Sequence, residues 1–486
     1  MNRLRDARVR GLVIVLGAFV VSRVLIWLTG GHFRVGYLRW GIQLLDWVDL
    51  GAHPFESVWH LHTQPPLFNL FIGIVLRWSP FSPGISFQIL YVVMGFVMVA
   101  ACYRLALDLG ASPLVATIAG LLVTLNPVLL SFENAVTYEM PTMMLLVLAA
   151  LAFTRWVREG GTRAFALLCA ALTATVLTRA LLHPVWLVVV LCFALLMRKP
   201  PRWQPVVVSL GVVVLLVGGW VVKNAVMFDA PTLSSWFGMN LHRAVIAPLS
   251  EHDFDRLVRD GDVSRVSRAG TFGDYSVYKP YVGPCASDTG EPTLDRLRKH
   301  DPVPNFNAEC YLPLYEQFQD DALAALRARP GRYVATRGIG LARFVEPQRA
   351  PQAPRSEIVS WLDRVFDRAS LPVTITIGMR GWAFPLLKGT RLEVDPSITV
   401  AVAMVLVLVR GGVAMVRVVR GRGREDDVPW TYLGWTVLFV LLASTFFELG
   451  ENDRFRVLVD PLVIVGSVVL AGRWLPRAWH ALRARA

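Results

Sequence analysis

Lysine is almost missing from this 486-residue chain: five of its 49 basic residues are Lys and the others are Arg. Charge of either sign is scarce, at 17% of residues against 54% hydrophobic, with a mean hydropathy of +0.48. So little charge cannot cover a water-soluble surface, and composition places the chain among integral membrane proteins. No internal repeat is visible, which argues against a secondary transporter built from paired inverted repeats with charge at the midplane. No small-residue cleavage pattern follows the first apolar run, so that run reads as a retained span and not a removed signal peptide. Cysteine is rare too. Cys102, Cys169 and Cys192 fall in apolar runs and behave as small hydrophobes, leaving Cys285 and Cys310.

What the chain has in abundance is apolar runs of about 17–25 residues, each long enough to cross ~30 Å of hydrocarbon. Ten are expected, near 11–29, 85–107, 112–131, 138–155, 164–181, 183–198, 205–224, 396–416, 429–447 and 456–472. The stretch 371–392 is apolar but broken by Gly378, Arg380, Gly381 and Pro385, and reads as an interfacial helix or re-entrant piece. Arg3, Arg5, Arg8 and Arg10 precede the first run, so the N-terminus is expected in the cytoplasm. Across ten crossings the clusters Arg155/Arg158/Arg163, Arg198/Lys199/Arg202, Arg417/Arg420/Arg422/Arg424 and the tail Arg473/Arg477/Arg483/Arg485 then share that side. The net charge of +13 follows from this bias and is no nucleic-acid footprint. The expected fold class is an all-α polytopic bundle, divided into 1–224 with its outer loop 30–84, an extracytoplasmic insert 225–395, and C-terminal helices with a basic tail, 396–486.

On the opposite, outer side, five separate segments gather the chemistry. They are the 30–84 loop, the turns 131–140 and 177–184, the insert and the segment 447–456. They bring Asp46, Asp49, His62, Glu133, Glu139, Arg179, His183, Glu448, Glu451, Arg454 and Arg456 to one membrane face. Outer loops are solvated and carry polar residues in any case. These are short, though, and rich in acid and Arg, and charge beside a bilayer is costly unless it pairs, faces water or does work. Leu44–Leu70 is the densest part, with Asp46, Asp49, His53, Glu56, His60, His62 and Gln64-Pro65-Pro66.

An acidic loop after the first span, followed by His62-x-Gln64-Pro65-Pro66-Leu67, resembles the polytopic GT-C glycosyltransferases: protein mannosyltransferases, the aminoarabinose transferases that modify lipid A, and actinobacterial mannosyl- and arabinosyltransferases. Asn126-Pro127 ahead of Glu133/Glu139, Gly219-Trp220-Val221-Val222-Lys223-Asn224, and Glu451-Asn452-Asp453-Arg454-Phe455-Arg456 with Pro461 are similar to further family motifs. Lys223 departs from the family's usual Arg. The resemblance covers roughly residues 10–240 and 430–472, and no single motif in it is specific.

The resemblance implies transfer of a sugar from a membrane-dissolved polyprenyl-phosphate donor to an envelope glycan, lipid or protein on the outer face of a bacterial plasma membrane. It implies a first-loop carboxylate as general base, within hydrogen-bond reach of the acceptor hydroxyl. Asp46 fits that place best, with Asp49 the alternative and Glu56 behind them. Charge developing on the lipid-phosphate leaving group calls for Arg or Lys; Arg454 leads, with Arg456, Arg179, Lys223 and His62 as further candidates. Glu56, Gln64, Glu133, Glu139 and Glu451 are candidates for the donor and acceptor pocket. A divalent cation, Mg or Mn, is optional: Asp46, Asp49, His53 and Glu56 could ligate one, but their spacing is no signature. Arg23, inside the first span, either snorkels to the interface or projects into a donor-phosphate cavity. The insert is expected to hold short amphipathic helices near Tyr315–Arg329 and Ser356–Arg368 and a stapling Cys285–Cys310 disulfide. Aromatic and Asn residues in Thr232–Asn240 and Phe272–Tyr281 could line an acceptor groove. The competing classes are a polyprenyl-diphosphate-dependent ligase or polymerase and a transporter without catalysis. The Arg-over-Lys bias suits a high-GC bacterial genome, which makes mannose and arabinofuranose donors the first to test.

Overall fold

In the computed structural model, which describes residues 2–200, 202–348, 356–378 and 391–483, nearly every apolar run is a helix. Proline sets many of the starts. Pro66, Pro83, Pro113, Pro127 and Pro184 each open a helix, where a missing N–H leaves nothing unsatisfied and φ is already helical. Ser112 and Asn126 add side-chain caps to the amides of Val115 and of Val128 and Leu129.

Among the described residues, six helices are long and apolar enough to cross a membrane, and seven if Pro113–Thr124 and Pro127–Glu133, bent by 56°, count as one span. The chain is thus a multi-pass membrane protein. Each of the ten expected runs coincides with helix, but Thr162–Thr178 and Pro184–Met197 are short for a full crossing, and Asp460–Arg483, which holds the run 456–472, is not among the six or seven. Helices Ile398–Val419 and Val428–Phe447 pack so closely that a Cβ on Gly411 would stand 2.3 Å from the Gly434 Cα, the small-residue contact that membrane helices favour.

Between Phe228 and Ile398 lies the insert. Helices Phe237–Val245 and Leu312–Ala328 pack around Trp236, Phe306, Tyr311, Tyr315 and Phe318, and Cys285 and Cys310 are bonded with Cα atoms 5.7 Å apart. One expectation is corrected here. The described ends of 371–392 are not helical: Ile375–Gly378 and Arg391–Val394 pair as antiparallel strands, and 379–390 lie outside the described residues. The run Thr374-Ile375-Thr376-Ile377 is β-branched throughout, and Leu392 and Val394 are buried against Ile339 and Leu449.

The insert is fastened to the bundle by Arg donors. Arg337 donates to the Thr445 carbonyl at 2.7 Å, Arg343 to the Gly450 carbonyl at 2.8 Å, and Arg243 pairs with Glu448. These contacts roof the end of the bundle where helix Glu139–Glu159 begins and Thr162–Thr178 ends.

Candidate functional site

The turn after helix Thr162–Thr178 places Arg179 in the interior, 5% exposed. Its guanidinium lies 3.9 Å from the Tyr138 ring centroid and 4.9 Å from that of Phe455, yet it donates no hydrogen bond to any described residue. Beside it, Arg454 on the short helix Asn452–Val457 donates to Glu139 at 2.7 Å and to Glu451 at 3.4 Å. Glu139 opens helix Glu139–Glu159, where the helix dipole favours an anion. Glu139 Oε2, Tyr138 Oη, Thr137 Oγ1 and Arg179 Nε are all buried without a hydrogen-bond partner among the described residues. Such an orphaned group costs roughly 1–3 kcal/mol, more when charged, so four of them on neighbouring side chains mark a place shaped for something polar.

The second corner belongs to the first loop. Asp46 caps helix Trp47–Ala52, accepting from the Val48 amide at 3.0 Å, while its other oxygen accepts from the His300 amide at 2.6 Å and His300 Nδ1 at 2.7 Å. Asp46 is 5% exposed. Burial works against its charge, but the His300 and Val48 bonds prevail and hold the carboxyl below its ordinary value. Asp49 goes the other way: burial and the Asp46 charge raise it, more than Arg296, 3.4 Å away, and His300 pull it down. Tyr37 belongs to the first corner: it donates to Gln43 at 3.2 Å and lies under the charges of Arg454, Glu139 and Glu451.

A divalent ion does not fit the first-loop acids. His53 and Glu56 are exposed and face each other at 3.7 Å, outside the Asp46 cluster. Asp46, Asp49 and His300 do offer atoms within 4.8 Å of one another. Three N–H groups already point into Asp46, however, and the Arg296 guanidinium stands over Asp49, so the lone pairs a cation would use face donors instead.

Several other expected site residues are placed in structural contacts. Glu133 receives Arg23 in a two-pronged bond, 2.8 and 2.6 Å, and Arg23 also donates to the Thr124 carbonyl at 2.7 Å. Arg23 therefore neither snorkels nor lines a phosphate cavity. Lys223 donates to the carbonyls of Trp59 and Leu61, at 3.0 and 2.7 Å, and tethers the first loop. His62 is fully buried between Ser235 Oγ, 2.9 Å, and the Asn307 carbonyl, 3.0 Å. A carbonyl can only accept, so Nε2 carries the proton and Nδ1 receives the Ser235 hydroxyl. Burial lowers this imidazole to about 3, leaving it neutral and with no ring nitrogen free for a phosphate. Arg456 is spent on Asp460 at 3.0 Å and the Phe344 and Glu346 carbonyls, apart from the Arg454 group. Gln64 is buried at 8% exposure just ahead of helix Pro66–Trp78. Thr232–Asn240 supplies Trp236 to buried packing and the half-buried Ser235 to His62, while Tyr275 and Tyr281 line a cleft of about 690 Å³ beside the disulfide. No residue of that cleft belongs to either charged corner.

Reading the sequence missed His300. The only signal for it is the charged run Arg298-Lys299-His300-Asp301 in the insert, with nothing to tie it to a loop 254 residues earlier. Arg243, which holds Glu448, was missed for the same reason.

No family model matches this chain, and no curated protein matches it. Among solved structures it aligns with ArnT from Cupriavidus metallidurans in the apo state, over 88% of this chain and 76% of that one, at 14% identity and a TM-score of 0.31. A likeness that distant establishes neither a shared fold nor a shared activity.

Proposed function

We propose that this chain is a GT-C-type glycosyltransferase of a bacterial plasma membrane, moving a sugar from a polyprenyl-phosphate donor to an extracytoplasmic glycan, lipid or protein. The observation that carries the reading is Arg179, a guanidinium 5% exposed and stacked between two rings with no hydrogen bond to any described residue. A permanently charged group so buried is expected to meet an anion during function. A lipid phosphate suits both its fork of donors and its place at the end of a membrane bundle. Arg454, with Glu139 and Glu451 as resting partners, is the second donor to that phosphate. As the C1–O–phosphate bond breaks, the leaving oxygen gains negative charge, which Arg179 and Arg454 stabilise in a water-poor setting. The first-loop corner of Asp46, Asp49 and His300 takes the acceptor's proton. Ten crossings, with both chain ends and the Arg clusters in the cytoplasm, complete the arrangement.

The test is sugar transfer by purified protein in detergent. Polyprenyl-monophosphate mannose and arabinofuranose are compared with the corresponding diphosphate donors, using envelope material from a deletion strain as acceptor. Release of polyprenyl monophosphate with labelled acceptor is the expected result. Transfer confined to diphosphate donors, or none from any donor, overturns the reading.

A further inference from the structure

Three consecutive insert residues are fastened to the first loop. Lys299 Nζ donates to the Gly41 carbonyl at 2.7 Å, His300 donates twice to Asp46, and Asp301 receives Trp47 Nε1 at 3.0 Å. This holds residue 300 by both its backbone and its ring. The imidazole is nevertheless 44% exposed, whereas the Asp46 side chain is 6% exposed. Asp46 as an ionised carboxylate can only accept, so the proton of the 2.7 Å contact sits on His300 Nδ1. The neutral ring then presents a bare Nε2, which meets no hydrogen-bond partner among the described residues. A buried carboxylate fixing the tautomer of a half-exposed imidazole is how nucleophile–base–orienter sets are built.

We propose that His300 Nε2 receives the acceptor's proton and that Asp46 is a positioning residue behind it. This rests on the glycosyl-transfer reading. The acceptor oxygen bonds to the sugar C1 as its proton passes to Nε2. The C1–O–phosphate bond breaks, and polyprenyl phosphate leaves with the electron pair. The imidazolium keeps its Nδ1–H bond to Asp46 and returns the added proton to solvent through its exposed edge. Asp46 and Asp49 are the acids whose charges meet the ring, and Lys299 and Asp301 flank it in the chain. The lowered carboxyl of Asp46 makes it a poor proton acceptor.

The experiment uses the full-length protein with polyprenyl-phosphate mannose and arabinofuranose as donors, with added imidazole as the diagnostic. His300→Gly is expected to lose about 10²–10⁴-fold in transfer rate. It should keep its affinity for polyprenyl phosphate and regain rate with added imidazole, a gain that a structural histidine would not show. Asp46→Asn is expected to fall by a comparable factor, because an amide cannot hold the Nδ1–H tautomer, and not to respond to imidazole. His300→Gly retaining more than half the rate overturns the proposal. So does a slow His300→Gly that binds polyprenyl phosphate normally yet gains nothing from imidazole. Wild-type protein that neither binds polyprenyl phosphate nor transfers sugar fails the underlying reading instead, which a working wild type beside an unaffected His300→Gly does not.

Discussion

Two buried arginine–glutamate groups, set at neighbouring helix ends, are built on opposite plans. Arg23 and Glu133 form a closed pair: both carboxylate oxygens are taken, the remaining guanidinium nitrogen reaches Ser22 and Thr124, and the Phe19 ring covers the cation at 3.9 Å. Glu133 also presses on Gly95, where a Cβ would stand 2.4 Å from Oε2. The group around Arg179 and Arg454 has the same chemical parts but is left open, with one Glu139 oxygen, the Tyr138 hydroxyl and the Arg179 Nε unpartnered among the described residues. A closed pair can only hold helices together, whereas an open one has capacity to spare for a ligand. Commitment of donors and acceptors, and not the presence of charge at the membrane face, therefore separates scaffold from site.

The largest expected effect breaks the closed pair. Arg23→Leu leaves Glu133 as an uncompensated buried charge and should cost about 3–5 kcal/mol. In practice this means little folded protein in membranes and a sharp fall in thermal midpoint in detergent. Replacing both members, Arg23→Met with Glu133→Leu, should recover most of the stability with transfer intact. If the double replacement folds but is inactive, Arg23 and Glu133 belong to the site and the comparison collapses.

The open group should answer differently. Arg179→Ala removes no hydrogen bond from the described protein, so yield and thermal midpoint should stay near wild type while apparent donor affinity falls. The loss of charge-assisted bonds worth about 1.5–3 kcal/mol corresponds to roughly 10–150-fold. Arg179→Lys should restore part of it, since a point charge replaces a planar fork. Arg454→Ala should do both, weakening donor use and lowering stability, because it leaves Glu139 buried alone. Unchanged donor affinity in folded Arg179→Ala would make the uncommitted guanidinium a structural curiosity and remove the main support for the glycosyl-transfer reading.

These contrasts also show how far the sequence could be read. Apolar runs and their proline starts are local, so helices were placed close to where they lie, and the acids and arginines of the outer segments were recognisable as chemistry. Their partners were not. Arg23 admitted two readings because the residue that decides between them, Glu133, lies 110 positions away. Asp46 drew attention because it stands where the resembling family keeps its acid, but its His300 partner comes from an insert whose helices bear no periodic relation to the first loop. Lys223, His62 and Arg456 looked like phosphate ligands because of their residue types, and only their neighbours show that carbonyls, a hydroxyl and Asp460 already occupy them. The described ends of 371–392 were misread because the glycine, arginine and proline breaks drew more notice than the β-branched Thr374–Ile377.

Acid should loosen the contact between the first loop and the insert. His62 is neutral when folded, lowered to about 3 from 6.5 by burial, and His242 is likewise lowered to about 4. The unfolded chain binds more protons than the folded one in the window below 6.5 and above those values, so stability rises with pH there and is lost as pH falls. One such histidine contributes up to about 1.4 kcal/mol per pH unit. Thermal midpoints measured from pH 7 to pH 4.5 should fall, and His62→Asn should flatten part of that slope. An identical slope in the variant would mean that this histidine is protonated in the folded protein, contrary to its committed Nε2 and Nδ1.

The smallest expected effect is at Glu56, where commitment and chemistry both predict nothing. Its side chain is 59% exposed and its only ion-pair partner among the described residues, His53 at 71%, stands 3.7 Å away. Exposed pairs of this kind contribute about 0–1 kcal/mol, and Glu56 occupies no group that a substrate would need. By residue type it is the third of three acids within eleven residues of one loop, after Asp46 and Asp49. Glu56→Gln is therefore the sharpest control on reading function from acids near a membrane. Transfer should stay within about twofold of wild type, since a surface change away from buried features shifts little, while Asp49→Asn, which removes the partner of Arg296, should fall between Glu56→Gln and Asp46→Asn. A tenfold loss in Glu56→Gln with donor affinity unchanged would show that the acceptor approaches over this exposed face. The proton-accepting corner would then have to extend outward from Asp46 and His300 to include it.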